Sequence, residues 1–447
     1  MSVTIIQGGT VLPMEGRKVV HPRGAVLVDG DTIVAVGPQD EVAAHPLATG
    51  AEVVDATGTA VIPGLTNGHM HSGLMRGVAE SMALWDWLEN YYNQGMRVVT
   101  PELAEIACLL AYTENLRFGN TSMMDMYRYM EGGARVADRL GVRATLVPYI
   151  ADEPGFEYFE SIESNLALLQ SHRVASDGRV RAWVGLEHLF YCSPQCFRDA
   201  MKLAEEFDTG LHTHSSESIW EVQESLKRFG RRPIEEFHNR GILNERTVIA
   251  HCVWLDDREI ELLARTGTSA IHCPVSNMKL ASGPARVRDM RAAGIAFGLG
   301  SDGEASNNNL DLFDEMKFAS LLQKVSTLDP TVGDPWDVLA MATLDGARAL
   351  GLGEVTGSLE VGKKADIVTV DLHHLHYVPV FPDKYFNVAA HLVFTASGTD
   401  VDSVWVDGRR LVAGGRVLTV DQDEVIATAQ AAAEELMERR RVHFGHD

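Results

Sequence analysis

The sequence PGLTNGHMH at residues 63–71 ends an apolar segment with two histidines, His69 and His71. In an extended strand, side chains two residues apart lie on the same face. Functional side chains of a barrel of parallel strands lie at the carboxyl ends of its strands. The stretch therefore predicts a barrel strand whose end carries a pair of metal-ligating imidazoles. The alternative is that both are incidental polar residues of a loop.

Three more ligand-type clusters follow predicted strands further along the chain. His214 and Glu217 lie in HTHSSE, His251 lies in AHC, and Asp302 lies in SDG. Each motif alone has an ordinary explanation, because His and Asp often cap helices or satisfy turns. Their joint occurrence at four strand ends predicts one divalent ion, with zinc favoured and iron or another first-row ion as alternatives.

The segment around these motifs alternates short apolar runs with long amphipathic stretches, which is typical of repeated βα units. We predict helices at 101–118, 194–206 and 287–293. Eight βα units favour an α/β fold of the (β/α)8 TIM-barrel type, although the pattern alone leaves a doubly wound sheet open. The eight candidate strands are 60–65, 121–126, 143–147, 181–186, 210–214, 247–250, 268–271 and 296–300.

Both ends of the chain are rich in short strands separated by turn signals. The economical interpretation is one small β-sandwich domain built from residues 1–59 and 356–421. The metal-dependent barrel then occupies residues 60–355. Residues 422–447 form a C-terminal helix, which we expect to be exposed over 425–441.

Composition limits the classes of partner. The formal net charge of −23 repels polyanions, and no long apolar run or export signal is present, so we expect a cytoplasmic protein with no nucleic-acid partner and no membrane segment. Five cysteines at irregular spacing favour reduced, buried thiols, with a metal clasp by Cys192 and Cys196 as the alternative. The tract HHLH at 373–376 is interpreted as a solvated loop.

The motifs PGLTNGHMH, HTHSSE, AHC and SDGEASNNN resemble those of the amidohydrolase superfamily. They are most similar to its branch of cytosine-deaminase-like enzymes, triazine hydrolases such as atrazine chlorohydrolase, and S-adenosylhomocysteine deaminases. The stretch GSLEVGKKADI at 357–367 resembles the family's return into its small sandwich domain. The resemblance covers nearly the whole chain and also implies a homo-oligomer.

The resemblance implies a role for each candidate residue. The implied metal ligands are His69, His71, His214 and Asp302. Glu217 is implied as the proton shuttle and His251 as the neighbour of the activated water, while Asp302 or Glu217 accepts a proton from that water.

Binuclear relatives carry a lysine or carboxylate at an earlier strand end. The fourth predicted strand here ends in GLEH without a lysine. One ion is therefore expected, with a second ion at Glu187 as the alternative.

Two residues are predicted to contact the substrate, a small heterocycle. His188 falls where related deaminases place a substrate-contacting histidine; the alternative is a histidine satisfied in a strand-end network. Trp85 belongs to an aromatic segment with Trp87, Tyr91 and Tyr92, of which we expect at least two to be core residues.

Nucleoside-directed relatives carry an acidic residue after this aromatic segment and arginines after the third strand. The matching residues here, NQGM at 93–96 and PYIAD at 148–152, do not supply these groups. This departure favours a small, uncharged aminated ring over an adenosine-type nucleoside.

Together these observations predict a metal-dependent amidohydrolase that acts on C–N bonds other than peptide bonds. The leading hypothesis is a hydrolytic deaminase that releases ammonia from a pyrimidine, purine, pterin or triazine ring. A dechlorinase, or an amide or alkylamine hydrolase on a triazine-like ring, is the enzymatic alternative. The non-enzyme alternative, an inactive barrel scaffold, conflicts with competent side chains at all six expected positions.

Overall fold

The central part of the chain is a barrel of eight parallel strands. The computed structural model describes residues 3–16, 18–78 and 80–445. In chain order the barrel strands are Leu65–His71, Asn120–Tyr127, Arg143–Pro148, Val180–Ala182 with Val184–Gly185, Leu211–Ser215, Thr247–His251, Ser269–His272, and Phe297–Leu299 with Asp302–Gly303.

The barrel closes through its two interrupted strands, the fourth and the eighth. In the fourth, Val180–Ala182 pairs with the third strand and Val184–Gly185 pairs with the fifth. In the eighth, Phe297–Leu299 pairs with the seventh strand and Asp302–Gly303 pairs with the first. All of these pairings are parallel, so the predicted TIM-barrel class is confirmed.

Helices follow the barrel strands and cover the sheet. Pro194–Glu206 shows how such a helix begins. The Ser193 side chain accepts a hydrogen bond from the Cys196 amide, and proline occupies the first turn. The α-helices are Gln39–Ala43, Leu84–Trp87, Asn93–Val98, Pro101–Arg117, Met130–Leu140, Ile162–His172, Pro194–Glu206, Ile219–Phe229, Pro233–Asn239, Asp257–Thr266, Pro274–Lys279, Val287–Ala292, Glu304–Asn307, Leu312–Thr327, Pro335–Ala342, Leu344–Ala349, Val388–Phe394 and Gln422–Phe444. The three predicted helices agree with these bounds to within one residue.

Two further sheets form a sandwich to which both ends of the chain contribute. The first sheet has the order Thr32–Pro38, Gly24–Asp29, Val3–Gln7 and Glu52–Asp55. The second has the order Thr10–Val11, Thr59–Pro63, Ile367–Asp371, Val401–Val406, Arg409–Ala413 and Arg416–Val417. A shared apolar cluster that includes Ile6, Val26, Val61 and Ile367 fills the space between them.

The prediction of a barrel strand at 60–65 was wrong in its bounds. Thr59–Pro63 pairs antiparallel with Ile367–Asp371 in the sandwich, and the first barrel strand begins at Leu65. The two strands are separated only by Gly64, and both are almost entirely buried. Because hydrophobicity is continuous across them, the sequence does not reveal the change of sheet, and the proposed domain boundary at residue 60 falls inside this strand.

A buried ion pair joins the barrel to the sandwich. Arg143, on the third barrel strand, donates to Asp366 at 3.1 Å and to Asp407 at 2.6 Å. The side chains of Arg143 and Asp366 are 3% and 0% exposed. Asp366 also accepts a hydrogen bond from the Asp407 amide, so the three groups form one connected network.

The final helix, Gln422–Phe444, buries one face against the barrel helices and leaves the rest of its surface exposed. Leu436 is fully buried, and the Arg440 guanidinium lies 4.1 Å from the centre of the Tyr91 ring. The helix packs on Pro101–Arg117 and Asn93–Val98. Its alanines allow this close approach, but the sequence of one helix does not show which surface it covers.

Three smaller expectations can be compared with the structure. All five cysteines are buried free thiols, including Cys192 and Cys196. His374 and His376, in the predicted solvated loop, have side chains that are 43% and 51% exposed. No helix within the described ranges combines the length and the apolar character needed to cross a membrane.

Candidate metal centre and active site

Four side chains from three barrel strands meet at the carboxyl end of the barrel. Asp302 Oδ1 lies 3.4 Å from His69 Nε2 and 3.2 Å from His71 Nε2. The Nε2 atoms of His71 and His214 are 3.2 Å apart. The structure therefore brings together the four predicted metal ligands.

Hydrogen bonds behind the imidazoles direct their lone pairs toward this cluster. His71 Nδ1 lies 2.7 Å from the Met126 carbonyl oxygen, and His214 Nδ1 lies 2.6 Å from the Glu187 carbonyl oxygen. Since a carbonyl only accepts, each Nδ1 carries the proton and each Nε2 is a free lone pair. Two such lone pairs at 3.2 Å repel one another unless a cation lies between them.

His69 completes this pattern. Its Nε2 atom is buried and has no hydrogen-bond partner. Burial lowers the pKa of His69 to about 3, which keeps the ring neutral. Three imidazoles and a carboxylate directed at one point fit a divalent first-row ion, and the donor set contains no thiolate.

Asp302 is held in a fixed orientation. Oδ2 accepts hydrogen bonds from Ser276 at 2.5 Å and Ser306 at 2.9 Å. This leaves Oδ1 directed at the imidazoles.

Glu217 and His251 face each other beside this cluster. His251 Nε2 lies 3.6 Å from Glu217 Oε2, and His251 Nδ1 lies 3.1 Å from the Asn277 side-chain amide. Burial, reinforced by the negative charges of Asp302 and Glu221, raises the pKa of Glu217 well above its usual value. A carboxyl with a raised pKa is a suitable group to take up a proton and deliver it to a leaving group.

The backbone around these residues adopts uncommon conformations. Ser216, His251 and Asp302 have φ values of 56°, 72° and 60°, in the left-handed region that non-glycine residues rarely occupy. Such conformations are concentrated at functional sites, where the surrounding structure holds side chains in directions that ordinary strand geometry does not allow.

An aromatic pocket covers the cluster. Trp85 forms part of its wall, with its ring 5.4 Å from His188 and 4.3 Å from Trp220. Both predicted substrate contacts therefore line the pocket. The lining residues are His71, Leu84, Trp85, Trp87, Leu88, Tyr92, Tyr149, Glu187, His188, Tyr191, His214, Glu217, Glu221, His251, Leu280, Asp302, Gly303 and Ser306.

The predicted aromatic segment divides between the pocket and the core. Trp85, Trp87 and Tyr92 line the pocket, whereas Tyr91 packs under Arg440. Trp87 and Tyr92 are also core residues, with exposures of 5% and 6%. His188 Nε2 lies 3.4 Å from Glu221 Oε1, so its alternative interpretation as part of a strand-end network also describes the structure.

Sequence reasoning assigned no role to His212 and Tyr149, which both contact the cluster. His212 Nε2 lies 2.8 Å from His69 Nδ1, and Tyr149 Oη lies 2.6 Å from His71 Nδ1. His212 could have been found, since it stands two residues before His214 and therefore points to the same face. For Tyr149 the sequence carried no signal beyond its position after the third strand.

A closed (β/α)8 barrel with convergent imidazoles and a buried acid at its carboxyl end defines the class of metal-dependent barrel hydrolases. The model of the Amidohydrolase family matches residues 60–411, and a model of the bacterial Imidazolonepropionase-like composite domain matches residues 24–48. The chain belongs to the amidohydrolase family, as its motifs predicted. It is therefore an enzyme that acts on C–N bonds.

Relatives of similar length share more than a third of the residues. A 5-methylthioadenosine/S-adenosylhomocysteine deaminase from Syntrophus aciditrophicus is 38% identical over 97% of this chain and 98% of its own. A 5'-deoxyadenosine deaminase from Methanobrevibacter smithii is 36% identical over 93% and 94%. These whole-chain similarities confirm the predicted hydrolytic deaminase.

Solved structures agree with this assignment. An adenosine deaminase from Xanthomonas campestris with bound zinc has a TM-score of 0.90 and 32% identity, and covers 97% of this chain and 98% of that one. An atrazine chlorohydrolase from Arthrobacter aurescens TC1, complexed with zinc, has a TM-score of 0.87 at 24% identity, over 96% and 100%. The second likeness concerns the fold alone.

Proposed function

We propose that this enzyme removes the amino group of a 6-aminopurine nucleoside as ammonia, with one zinc ion bound by His69, His71, His214 and Asp302. A divalent ion bound there would lower the pKa of a water molecule and so supply the nucleophile. The observation that carries the proposal is the buried Glu217 carboxyl, whose Oε1 has no partner and which lies beside the four convergent ligand groups.

The side chains have distinct tasks in this proposal. Glu217 receives the proton of the attacking water and gives it to the departing nitrogen, and Asp302 is a second base for the same proton. His251 carries its proton on Nε2 if the Asn277 amide donates to Nδ1, and it then stabilises negative charge on the attacked centre. Trp85 and His188 orient the ring.

The nucleoside is favoured by the names of the relatives, against the sequence-based expectation of a smaller ring. That expectation still has structural support and defines the second candidate, a free aminated base. Residues 93–96, the stretch where nucleoside-directed relatives were expected to have an acid, end in Met96, which is fully buried and apolar, and Asp152 is engaged by Ser193 outside the pocket. The dechlorinase alternative has no such support.

Ammonia release from adenosine, 5'-deoxyadenosine, adenine, guanine and cytosine tests the proposal on the zinc-loaded enzyme. We expect Glu217→Gln to keep its zinc and to lose at least about 1,000-fold in kcat, because the proton carrier is gone. Normal turnover by this variant, or no ammonia from any aminated ring with zinc-loaded wild type, would contradict the proposal. Metal analysis checks the stoichiometry of one ion per chain.

A cytoplasmic location and a homo-oligomer remain proposals. Five buried free thiols are typical of a reducing compartment. The helix Leu312–Thr327 and the residue after it expose Leu321, Val325 and Leu328, which supports self-association. Light scattering of the purified enzyme measures the number of subunits.

A further inference from the structure

We infer that Glu187 determines substrate specificity by accepting a hydrogen bond from an O–H or N–H group of the substrate. The inference rests on the proposed function, because it assigns a partner to that same pocket. A ribose hydroxyl and a ring N–H are the two sources of such a donor.

The first observation is an unpaired acceptor. Among the buried carboxylate oxygens of the described residues, only Glu217 Oε1 and Glu187 Oε2 have no hydrogen-bond partner. Glu217 has a task in proton transfer, whereas Glu187 has none. Buried carboxylates are normally satisfied, so a group of this kind next to a substrate pocket indicates a partner that arrives with the ligand.

Glu187 is rigidly placed in the pocket wall. Its carbonyl oxygen accepts from His214 Nδ1 at 2.6 Å, and its amide donates to the Ile150 carbonyl at 2.9 Å. Its side chain lines the pocket and is almost completely buried. Both backbone groups are thus used to fix the residue beside a proposed metal ligand, while the carboxyl stays available.

The neighbouring polar groups do not satisfy it. Glu221 accepts from the amides of Ser216 and Glu217 at 2.7 and 2.8 Å and also faces His188. His188 is therefore directed at Glu221, and Glu187 Oε2 is left without a protein donor.

A second metal ion at Glu187 is the competing explanation. The candidate ligand clusters of the described residues consist of His69, His71 and His214, and of His69, His251 and Asp302. Glu187 belongs to neither. Geometry therefore favours a contact with substrate over a contact with metal.

The test compares wild type with Glu187→Gln and Glu187→Leu, using zinc content and kcat/KM. We expect both variants to keep the zinc content of the wild type. For substrates that carry the donor, kcat/KM should fall roughly 10- to 100-fold. The fall should be larger for Glu187→Leu, because the glutamine of Glu187→Gln keeps an acceptor. A loss with adenosine but not with adenine identifies a ribose hydroxyl, whereas a loss with guanine or cytosine identifies a ring N–H. Unchanged kcat/KM for every substrate, or loss of bound zinc, overturns the inference.

A binding experiment tests this inference separately from the proposed function. In the Glu217→Gln background, calorimetry measures the Kd of adenosine, guanine and cytosine with and without Glu187→Gln, so no turnover is needed. We expect at least one of these ligands to bind about tenfold more weakly when Glu187 is changed. Equal Kd values for all three contradict the inference even if the wild type releases ammonia.

Asp311→Asn is the matched control for removing a buried acid. Burial raises the pKa of Asp311 to about 7, as it does that of Glu187, but the Asp311 carboxylate accepts from the amides of Phe313 and Gly398 outside the pocket. We expect this variant to keep the wild-type ranking of substrates. A changed ranking in the control would overturn the assignment to Glu187.

Discussion

His212 Nε2 lies 2.8 Å from His69 Nδ1, and His212 Nδ1 lies 2.9 Å from the Val248 carbonyl oxygen. The carbonyl fixes the proton of His212 on Nδ1, so its Nε2 must accept from His69 Nδ1. His69 Nε2 is then an unprotonated lone pair directed at the ligand cluster. The Val248 carbonyl thus sets the tautomer of the proposed ligand His69 through His212.

We expect His212→Leu to weaken zinc binding by about 10- to 100-fold, because His69 loses the group that orients it and fixes its tautomer. Competition with a chromophoric chelator measures the zinc Kd. His272→Gln is the matched control, since His272 is also a fully buried histidine but neither of its ring nitrogens has a hydrogen-bond partner. Equal zinc affinities of wild type and His212→Leu would show that this hydrogen bond does not tune the site.

The sequence predicted the positions of the four ligand groups but not the role of His212. Residues two apart on a strand share a face, so HTH placed both His212 and His214 inward. His214 lies further along the strand and reaches the cluster, whereas His212 lies behind His69. Only the assembled barrel defines this difference in depth. The pairing of Thr59–Pro63 with Ile367–Asp371 was missed for a similar reason, because its partner lies some three hundred residues away and hydrophobicity continues past Gly64.

A second prediction concerns stability at acid pH. Burial lowers the pKa of His272 to about 3, whereas the unfolded chain titrates near 6.5. Between these values the unfolded state binds more protons, so the contribution of His272 to stability is fully present above pH 6.5 and is lost as the pH falls toward 3.

His272→Gln removes this titration. The free energy of unfolding of the variant relative to wild type should therefore rise by about 2 kcal/mol between pH 8 and pH 5. Urea unfolding of both proteins at pH 8 and pH 5 measures this relative free energy. Any packing cost of glutamine is the same at both pH values and therefore cancels when the two relative free energies are subtracted. A difference that is the same at both pH values would mean that His272 titrates normally in the fold.

The third prediction concerns the junction of barrel and sandwich. Arg143→Met would leave the fully buried Asp366 without its countercharge, next to Asp407. Removal of one member of a buried ion pair typically costs about 3–5 kcal/mol, because the remaining charge stays desolvated. We expect a loss of that size in the free energy of unfolding, measured by denaturant titration.

Two further variants separate charge from packing at this junction. Arg135→Met removes an exposed partner of Glu105, with Arg135 61% exposed, and should cost less than about 1 kcal/mol. Replacing Asp366 by Asn in the Arg143→Met background should recover part of the loss, since it neutralises the stranded carboxylate. If Arg143→Met is no more destabilising than Arg135→Met, the network does not hold the two parts of the chain together, and the apolar contacts across the junction must carry that task alone.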